Sequence, residues 1–287
     1  MQRRGWRLRA GLLGVIGHPI GHSVSPAMMN AALQKQGIDN ILYIAVDVHP
    51  RDLRGFVSSA HLMNFIGFNV TIPHKVSIIK HLDRLDRSAE LVEAVNVVKV
   101  MDVRRIGFNT DVAGVLACVP EPVSGRAVVL GVGGAARAAA VALNRKGYGD
   151  LVFAGRRKST MDEFLRFARR KGLPIRVVKL GSKPFAEAVE KAELLVNATP
   201  VGMAPNINAS PVPAKLLHKR LTVFDMVYNP VETKLLKMAR ASGAKAIGGL
   251  DMLVAQGAEA LKIWLGIDGD IKTMKKAALK ALQRRRS

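Results

Sequence analysis

One lysine stands where it is poor for stability but well suited to chemistry. The predicted buried strand Phe65–Thr71 leads into a predicted helix, Lys75–Leu82, and Lys75 falls in the first turn of that helix. The helix dipole disfavours a positive charge at that end. Lys75 is therefore either a surface charge at a helix start or a group kept for a reaction. In a reaction a lysine can stabilise negative charge on an oxygen and donate the proton.

Hydroxyl and amide side chains occupy further strand ends in the first half of the chain, where open α/β sheets bind ligands. The candidates that accompany Lys75 are Ser23, Ser25, Asn69, Thr71, Asn96, Asn109, Thr110 and Asp111. Ser25 could simply cap the helix that begins at Pro26, and Asp111 could cap the helix that follows it. Together these hydroxyls, amides, one cation and one carboxylate suit a small polyhydroxylated acid as ligand. Gln256 lies on an apolar helical face, as a satisfied core residue or as another ligand contact.

The segment Ala127–Leu143 has the pattern of a dinucleotide-binding turn. An apolar strand ends in Gly131-x-Gly133-x-x-Ala136, and a helix opens directly after it. Gly131 permits a tight turn, Gly133 lets the backbone approach a pyrophosphate, and Ala136 lets helix and strand pack closely. The alternative is a glycine-rich turn without a ligand. The strand before the turn and the helix after it favour dinucleotide binding.

The end of the next strand distinguishes the two nicotinamide cofactors. An acidic residue there would accept hydrogen bonds from a ribose 2′-hydroxyl, but the sequence has Arg156 and Arg157. Arginine suits a 2′-phosphate because its planar guanidinium can make two hydrogen bonds to it. The sequence therefore predicts NADP(H), with Arg156 as the first contact and Arg157 as the second. The alternative is a solvated loop charge.

The elements that must position these residues alternate between strand and helix throughout, which predicts an α/β protein with mostly parallel sheets. A shorter pair of strands, Ala94–Lys99 and Arg104–Phe108, is predicted to form a hairpin. A second run of strands and helices begins after the connector Glu121–Gly125, so we expect a domain boundary within Asp111–Gly125. The chain has 287 residues, a length typical of about two domains.

Composition excludes several other classes of protein. The basic and then apolar start of the chain resembles a signal peptide, but its apolar part is short and glycine-broken, which indicates a first strand. No apolar run is long enough for a membrane span. A single cysteine, Cys118, excludes an intrachain disulfide. No histidine pair has metal-ligand spacing on a common helix: His18 and His22 are four residues apart, but Pro19 and Gly21 would break a helix there. We therefore expect a cytoplasmic protein without a metal.

The net charge of +22 raises nucleic acid as a partner. Much of the excess lies in two terminal segments without acidic residues. The basic residues of these segments are Arg3, Arg4, Arg7 and Arg9, and Lys272, Lys275, Lys276, Lys280, Arg284, Arg285 and Arg286. Apart from Trp6, no aromatic residue interleaves with them, whereas a platform for stacking bases would require several. Solvated tails are the preferred interpretation, and a basic nucleic-acid-binding module remains the alternative from another class.

Eight motifs occur in an order that resembles one enzyme family. They are Ser23-Val-Ser25-Pro26, Asn69-Val-Thr71-Ile-Pro73-His74-Lys75, Ala94-Val-Asn96, Gly107-Phe-Asn109-Thr110-Asp111, the Gly131–Ala136 turn, Asn197-Ala-Thr199-Pro200-Val-Gly202-Met203, Asp225-Met-Val-Tyr228-Asn-Pro230 and Gly249-Leu-Asp-Met252-Leu253-Val-Ala-Gln256. The chain resembles the shikimate dehydrogenases from about Gly14 to Gly266. Glu93 departs from the family pattern, where a glycine is usual before Ala94-Val-Asn96, and Val97 stands where a threonine is usual. Gly155-Arg156-Arg157 replaces the usual Asn-Arg-Thr.

The resemblance implies NADPH-dependent reduction of 3-dehydroshikimate to shikimate, on the route to chorismate and the aromatic amino acids. It implies Lys75 and Asp111 as the catalytic pair. The implied substrate contacts are Ser23, Ser25, Asn69, Thr71, Lys75, Asn96, Asp111, Tyr228 and Gln256. The implied cofactor contacts are Gly131, Gly133, Gly134, Ala135, Ala136, Arg156, Arg157, Lys158, Thr199, Met203 and Gly249. The alternative within this class is an enzyme that acts on both quinate and shikimate.

The resemblance also implies a division of labour between two domains. Residues 1–111 would form the substrate-binding and catalytic domain, completed by C-terminal helices from about residue 250 to residue 287. Residues 112–249 would form a Rossmann-type NADP-binding domain. We expect a monomer or a homodimer.

Overall fold

A computed structural model describes residues 10–21 and 23–284. Some of the basic residues expected to form solvated tails lie outside the described residues. They are Arg3, Arg4, Arg7, Arg9, Arg285 and Arg286. His22 also lies outside the described residues. No helix in the described ranges combines the length and the apolar character that a membrane span requires.

The chain alternates strands and helices, as the sequence predicted. The strands are β1 (Gly11–Gly17), β2 (Ile41–Asp47), β3 (Phe65–Val70), β4 (Arg84–Leu85), β5 (Val97–Met101), β6 (Arg104–Phe108), β7 (Arg126–Leu130), β8 (Asp150–Gly155), β9 (Ile175–Lys179), β10 (Leu194–Asn197), β11 (Thr222–Asp225) and β12 (Lys245–Gly248). The α-helices are α1 (Ser25–Lys35), α2 (Leu53–Ser59), α3 (Arg87–Val92), α4 (Asp111–Cys118), α5 (Gly134–Lys146), α6 (Lys158–Arg170), α7 (Lys183–Lys191), α8 (Lys234–Ala241), α9 (Leu250–Leu265) and α10 (Ile271–Arg284).

The described residues divide into two compact units with one six-stranded sheet each. The first unit contains the chain up to Glu90, Ala94–Thr110 and the chain from Gly257 onward. The second unit contains Leu91–Glu93 and Asp111–Gln256. Helix α9 is thus shared between the two at Gly257, and a three-residue segment at the end of α3 belongs with the second unit.

The sheet of the first unit has the strand order β2-β1-β3-β5-β6-β4. Neighbouring strands are parallel except on both sides of β5, which forms the predicted antiparallel hairpin with β6. Gly67 in β3 makes room for a helix on one face, because a Cβ there would collide with the indole of Trp264. That indole donates to the carbonyl oxygen of Val98 (2.9 Å), so α9 is fastened directly over the middle of the sheet.

The sheet of the second unit has the order β12-β11-β10-β7-β8-β9, and all neighbours are parallel. Its central strands are apolar runs with both faces buried, as expected for a parallel sheet between layers of helices. This strand order is the Rossmann order, so the predicted α/β fold class with a Rossmann-type second unit is confirmed.

Candidate functional site

In the first unit, strands β1 and β3 lie side by side at the point where the chain changes direction across the sheet. From β1 the chain moves outward to β2, and it then returns to β3 on the other side of β1. Open sheets bind ligands outside the carboxyl ends of the strands at such a point. Ser23 and Ser25 follow β1, and Thr71 and Lys75 follow β3, so four predicted substrate contacts lie at this place.

Ser25 does not have the capping role that was its simpler interpretation. Helix α1 begins at Ser25 itself, the N-cap residue is Val24, and no side chain caps the helix. Instead the backbone N–H of Ser25 donates to Oγ of Ser23 (3.3 Å), and both side chains are buried. The capping interpretation of Ser25 is therefore wrong, because the helix starts one residue earlier than the Pro26 start predicted.

Lys75 is not in the first turn of an α-helix, so that prediction is wrong too. The segment is a turn followed by a short 3-10 helix, Ser77–His81. The physical reason is a long-range hydrogen bond: the carbonyl oxygen of Lys75 accepts from the backbone N–H of Val95 (2.7 Å). That oxygen is thus engaged outside the segment rather than by the next helical turn. The unfavourable dipole inferred for Lys75 does not arise.

His74 fastens the other side of this turn. Its ring is fully buried, and its Nε2 is 2.7 Å from the carbonyl oxygen of Val48. Burial lowers the pKa of His74 below its ordinary value, so the ring is held neutral, with Nε2 as the donor to that oxygen. Between His74 and Val95 the backbone of Lys75 is therefore held firmly.

Asn96 is buried just before β5 and is held by two hydrogen bonds to one residue. Its Nδ2 donates to Oγ1 of Thr110 (2.9 Å), and its Oδ1 accepts from the backbone N–H of Thr110 (2.7 Å). Asn109 donates from Nδ2 to the carbonyl oxygen of Ala94 (2.9 Å). Asp111 follows as the first residue of α4, is 3% exposed and belongs to the second unit.

The predicted glycine turn lies at the carboxyl end of β7, next to β10, where the strand order of the second sheet reverses. Gly131 has φ +111°, which favours glycine, and a Cβ there would press on the carbonyl oxygen of Ala198. Gly133 precedes α5, and a Cβ there would meet no atom within 4 Å. Packing therefore does not explain Gly133, whereas an approaching phosphate would. Gly134, Ala135 and the buried Ala136 form the first turn of α5, whose N–H groups suit an anion.

A buried polar network fixes the neighbouring loop, and sequence reasoning missed it. Oδ1 of Asn197 accepts from Oγ1 and the backbone N–H of Thr199, and its Nδ2 donates to Asp225 (2.9 Å). Asp225 also accepts from Oγ1 of Thr233 (2.6 Å) and from the N–H of Val227. Burial raises the pKa of Asp225, since no cation lies among these bonds. The network positions Thr199 and the loop toward Met203 at the end of β10.

Arg156 lines a pocket of about 750 Å³ in the second unit, together with the loop from Pro200 to Ala209 and thus with Met203. Arg157 is the N-cap residue of α6 and is not among the lining residues, and Lys158 is exposed and pairs with Asp162 (3.0 Å). This arrangement ranks Arg156 first among the three cations for a ligand in the pocket.

The remaining predicted contacts of the second unit lie on the loops and the helix after β11 and β12. Tyr228 is half-buried after β11. Gly249 precedes α9, and a Cβ there would collide with the carbonyl oxygen of Met226, so packing alone explains this glycine. Gln256 is partly exposed on α9, and its Nε2 donates to the carbonyl oxygen of Leu253 (2.7 Å).

Glu93 and Arg137 form an ionic cluster that sequence reasoning did not predict. Arg137 is 4% exposed and donates to the carbonyl oxygen of Glu93 (3.1 Å) and to the carboxylate of Glu163 (2.6 Å). The carboxylate of Glu93 accepts two hydrogen bonds from Arg170, which lower the pKa of Glu93. Glu93 has φ +50°, a left-handed conformation. The only sequence signal was the departure at Glu93 from a position where glycine is usual.

Within the described part of the chain, no group of three or more His, Cys, Asp or Glu side chains is placed to hold a metal ion.

Comparison with known proteins gives consistent matches over almost the whole chain. Residues 15–98 match the family model of the shikimate dehydrogenase substrate binding domain, and residues 249–279 match that of the shikimate 5′-dehydrogenase C-terminal domain. An NADP(+) shikimate dehydrogenase of Methanocaldococcus jannaschii is 40% identical, over 93% of this chain and 96% of that protein. One of Methanopyrus kandleri is 42% identical, over 95% of this chain and 96% of that protein.

A solved structure extends the similarity to three dimensions. The crystal structure of shikimate 5-dehydrogenase from Thermus thermophilus in complex with NADP(H) and shikimate matches with a TM-score of 0.83 at 37% identity. The match covers 94% of this chain and 99% of that one.

Proposed function

The chain belongs to the shikimate dehydrogenase family, and from that premise we propose that it reduces 3-dehydroshikimate to shikimate with NADPH, reversibly. It is an NADP-dependent oxidoreductase, so the alternative of a nucleic-acid-binding module is set aside. The family match also does not favour the other alternative, an enzyme that acts on both quinate and shikimate. The observation that supports the proposal most is the 40% identity to the NADP(+) shikimate dehydrogenase of Methanocaldococcus jannaschii, over 93% of this chain.

The cofactor fits the residues of the second unit. Gly131, Gly133, Gly134, Ala135 and Ala136 would hold the pyrophosphate, because the turn is open at Gly133 and leads into the N-terminus of α5. Arg156 would bind the 2′-phosphate, with Arg157 and Lys158 adding positive charge. Thr199, Met203 and Gly249 would complete the site from the loops after β10 and β12. Bound NADPH supplies the hydride.

The substrate is held by the residues at the carboxyl ends of the first sheet. Ser23, Ser25, Asn69, Thr71 and Asn96 would donate to or accept from its hydroxyl and carboxylate groups. Asp111, Tyr228 and Gln256 would complete these contacts. Most of these side chains are buried or half-buried, so they would meet the ligand in a fixed geometry.

Lys75 is proposed as the proton donor and Asp111 as its partner. As hydride reaches the carbonyl carbon, negative charge grows on the carbonyl oxygen. An ammonium beside that oxygen stabilises the charge and then transfers a proton from Nζ, which leaves a hydroxyl group on the product. In the reverse direction neutral Nζ takes the hydroxyl proton, and a carboxylate orients the amine for either step.

One assay tests the proposed function. The purified protein is given shikimate or quinate with NADP⁺ or NAD⁺, and absorbance of the reduced nicotinamide is followed. Reduction of NADP⁺ by shikimate, much faster than in the other three combinations, is the expected result. A rate of NADP⁺ reduction with quinate comparable to that with shikimate would favour the alternative of an enzyme with dual specificity. No reduction of either cofactor with either substrate would refute the proposed function.

The remaining expectations of the sequence accompany this proposal. The single cysteine suits a reducing compartment, and we place the enzyme in the cytoplasm. We also keep the expectation of a monomer or a homodimer, which light scattering on the purified protein would decide.

A further inference from the structure

A tyrosine that sequence reasoning passed over, Tyr43, lies at the centre of a hydrogen-bond chain through the first unit. Its side chain is 1% exposed in β2, one of the two edge strands of the sheet. Its hydroxyl donates to Oδ1 of Asn69 in β3 (2.6 Å). Asn69 is one of the proposed substrate contacts, so a residue two strands away is bonded directly to the candidate site.

The two partners of Asn69 fix which way its amide faces. Its oxygen and nitrogen are similar in size, and only hydrogen bonds distinguish the two orientations of such a group. Tyr43 donates to Oδ1, and the carbonyl oxygen of Asn96 accepts from Nδ2 (3.1 Å). Both bonds require the same orientation. Nδ2 carries a second hydrogen besides the one that it donates to Asn96.

The chain continues in both directions through fixed groups. Toward the substrate side it passes from Asn96 to Thr110, the residue just before Asp111. On the other side Asn30 of α1 holds the backbone of Tyr43 with two bonds, from Nδ2 to its carbonyl oxygen (2.9 Å) and from its N–H to Oδ1 (2.8 Å). The helix that begins with Ser25 is therefore tied to the same chain.

We propose that Tyr43 is a positioning residue of the substrate site, which acts by holding the Asn69 amide with its N–H₂ group available to a hydroxyl or carboxylate oxygen of the ligand. This inference rests on the proposed function. In this role Tyr43 would act through Asn69 and not on the ligand itself. Without its hydroxyl, Oδ1 of Asn69 would be left buried without that donor, and the amide would turn or become mobile.

The test uses Tyr43→Phe with Tyr148→Phe as a matched control. Tyr148 is also a 1% exposed tyrosine with one bonded hydroxyl, which donates to the carbonyl oxygen of Pro120 (3.2 Å) in the second unit. Both variants keep the ring and lose the hydroxyl group, so both should lose some thermal stability. Only Tyr43→Phe should weaken shikimate binding, by about threefold to tenfold as expected for one hydrogen bond. The Kd for NADP⁺ should not change in either.

A double-mutant cycle separates positioning from packing. If Tyr43 acts through Asn69, Tyr43→Phe should weaken shikimate binding no further in an Asn69→Ala background. Unchanged binding in Tyr43→Phe, an equal loss in Tyr148→Phe, or an additive loss in the double variant would each overturn the proposal.

A crystal structure of the wild type with shikimate keeps the proposal testable if Tyr43→Phe does not fold. Asn69 should present Nδ2 to the ligand, with the Tyr43 hydroxyl on its Oδ1, and a ligand that contacts Oδ1 or leaves Asn69 untouched would overturn it. Failure of the proposed function looks different, because the wild type would then not reduce NADP⁺ with shikimate. If the proposed function fails in this way, a crystal structure of Tyr43→Phe still shows whether Tyr43 holds the Asn69 amide. An Asn69 amide with unchanged orientation in that variant would count against the proposal.

Discussion

The backbone N–H of Val95 donates to the carbonyl oxygen of Lys75 over 2.7 Å, although 20 residues separate the two in sequence. Val95 immediately precedes Asn96, so this bond joins the turn that carries the proposed proton donor to a proposed substrate contact. The position of Lys75 is therefore determined by the sheet rather than by a local helix.

Replacing Lys75 by alanine should abolish most turnover with little effect on substrate binding. Its backbone is held by Val95 and by the buried neighbour His74, so the loss of the side chain should leave the turn in place. A positioned acid–base group contributes roughly 10²–10⁴-fold to a rate, and kcat should fall by about that factor. The measurement is the steady-state rate together with the Kd for shikimate. The control is Lys80→Ala, which removes an exposed lysine of the following 3-10 helix and should match the wild type in turnover. Near-normal turnover in Lys75→Ala would rule out the proton-donor role.

Replacing Arg156 by alanine should raise the KM for NADP⁺ tenfold or more and leave that for NAD⁺ nearly unchanged. A charge-assisted hydrogen bond contributes about 1.5–3 kcal/mol, and NAD⁺ has no 2′-phosphate to receive it. Because Arg156 lines the pocket and Arg157 does not, Arg157→Ala should have the smaller effect. Arg166→Ala removes an exposed charge farther along α6 and serves as the control. Equal losses for both cofactors would contradict a role in phosphate recognition.

The architecture of the protein could be predicted from the sequence largely because its patterns are local. The strand and helix that flank Gly131 and Gly133 follow from apolar runs and glycine positions, and the structure has them within a residue or two. Strand β12 was missed because Lys245–Gly248 has too few apolar residues to show a pattern. The order of strands in each sheet depends on contacts that no local pattern reveals.

The error at Lys75 and the omission of Tyr43 share one physical cause, which is hydrogen bonding to distant partners. The local pattern after β3 predicted an α-helix, but the carbonyl oxygen of Lys75 accepts a hydrogen bond from the backbone N–H of Val95 instead of from the next helical turn. The hydroxyl of Tyr43 reaches Asn69 across 26 residues, and in sequence Tyr43 looks like any core aromatic residue. Residue types and the family resemblance propose the candidate contacts, and tertiary hydrogen bonds decide how these side chains are held.

Stability should fall in mild acid because of His74, and a variant that cannot be protonated should lose this dependence. Burial lowers the pKa of His74 below the ordinary 6.5 of the unfolded chain. The unfolded state therefore binds the proton more readily, so stability is present above pH 6.5 and is lost as the pH falls toward the lowered pKa. His74→Gln keeps an N–H donor for the carbonyl oxygen of Val48 and should show a flatter Tm between pH 7 and pH 5, with pH 8 as the internal reference. Parallel curves for the two proteins would show that His74 does not titrate in this window.

Glycine should be better than alanine at position 93, and alanine better than glycine at position 90. Glu93 has φ +50°, where an L-residue with a Cβ costs about 1 kcal/mol, whereas Glu90 lies inside α3, where glycine is worse than alanine by about 0.5–1 kcal/mol. Both variants at position 93 lose the bonds to Arg170 equally, so the difference between them reports the backbone alone. Denaturant unfolding of Glu93→Gly, Glu93→Ala, Glu90→Gly and Glu90→Ala measures both differences. If alanine proved the more stable residue at both positions, the left-handed conformation of Glu93 would be refuted, and with it the explanation of why glycine is usual there.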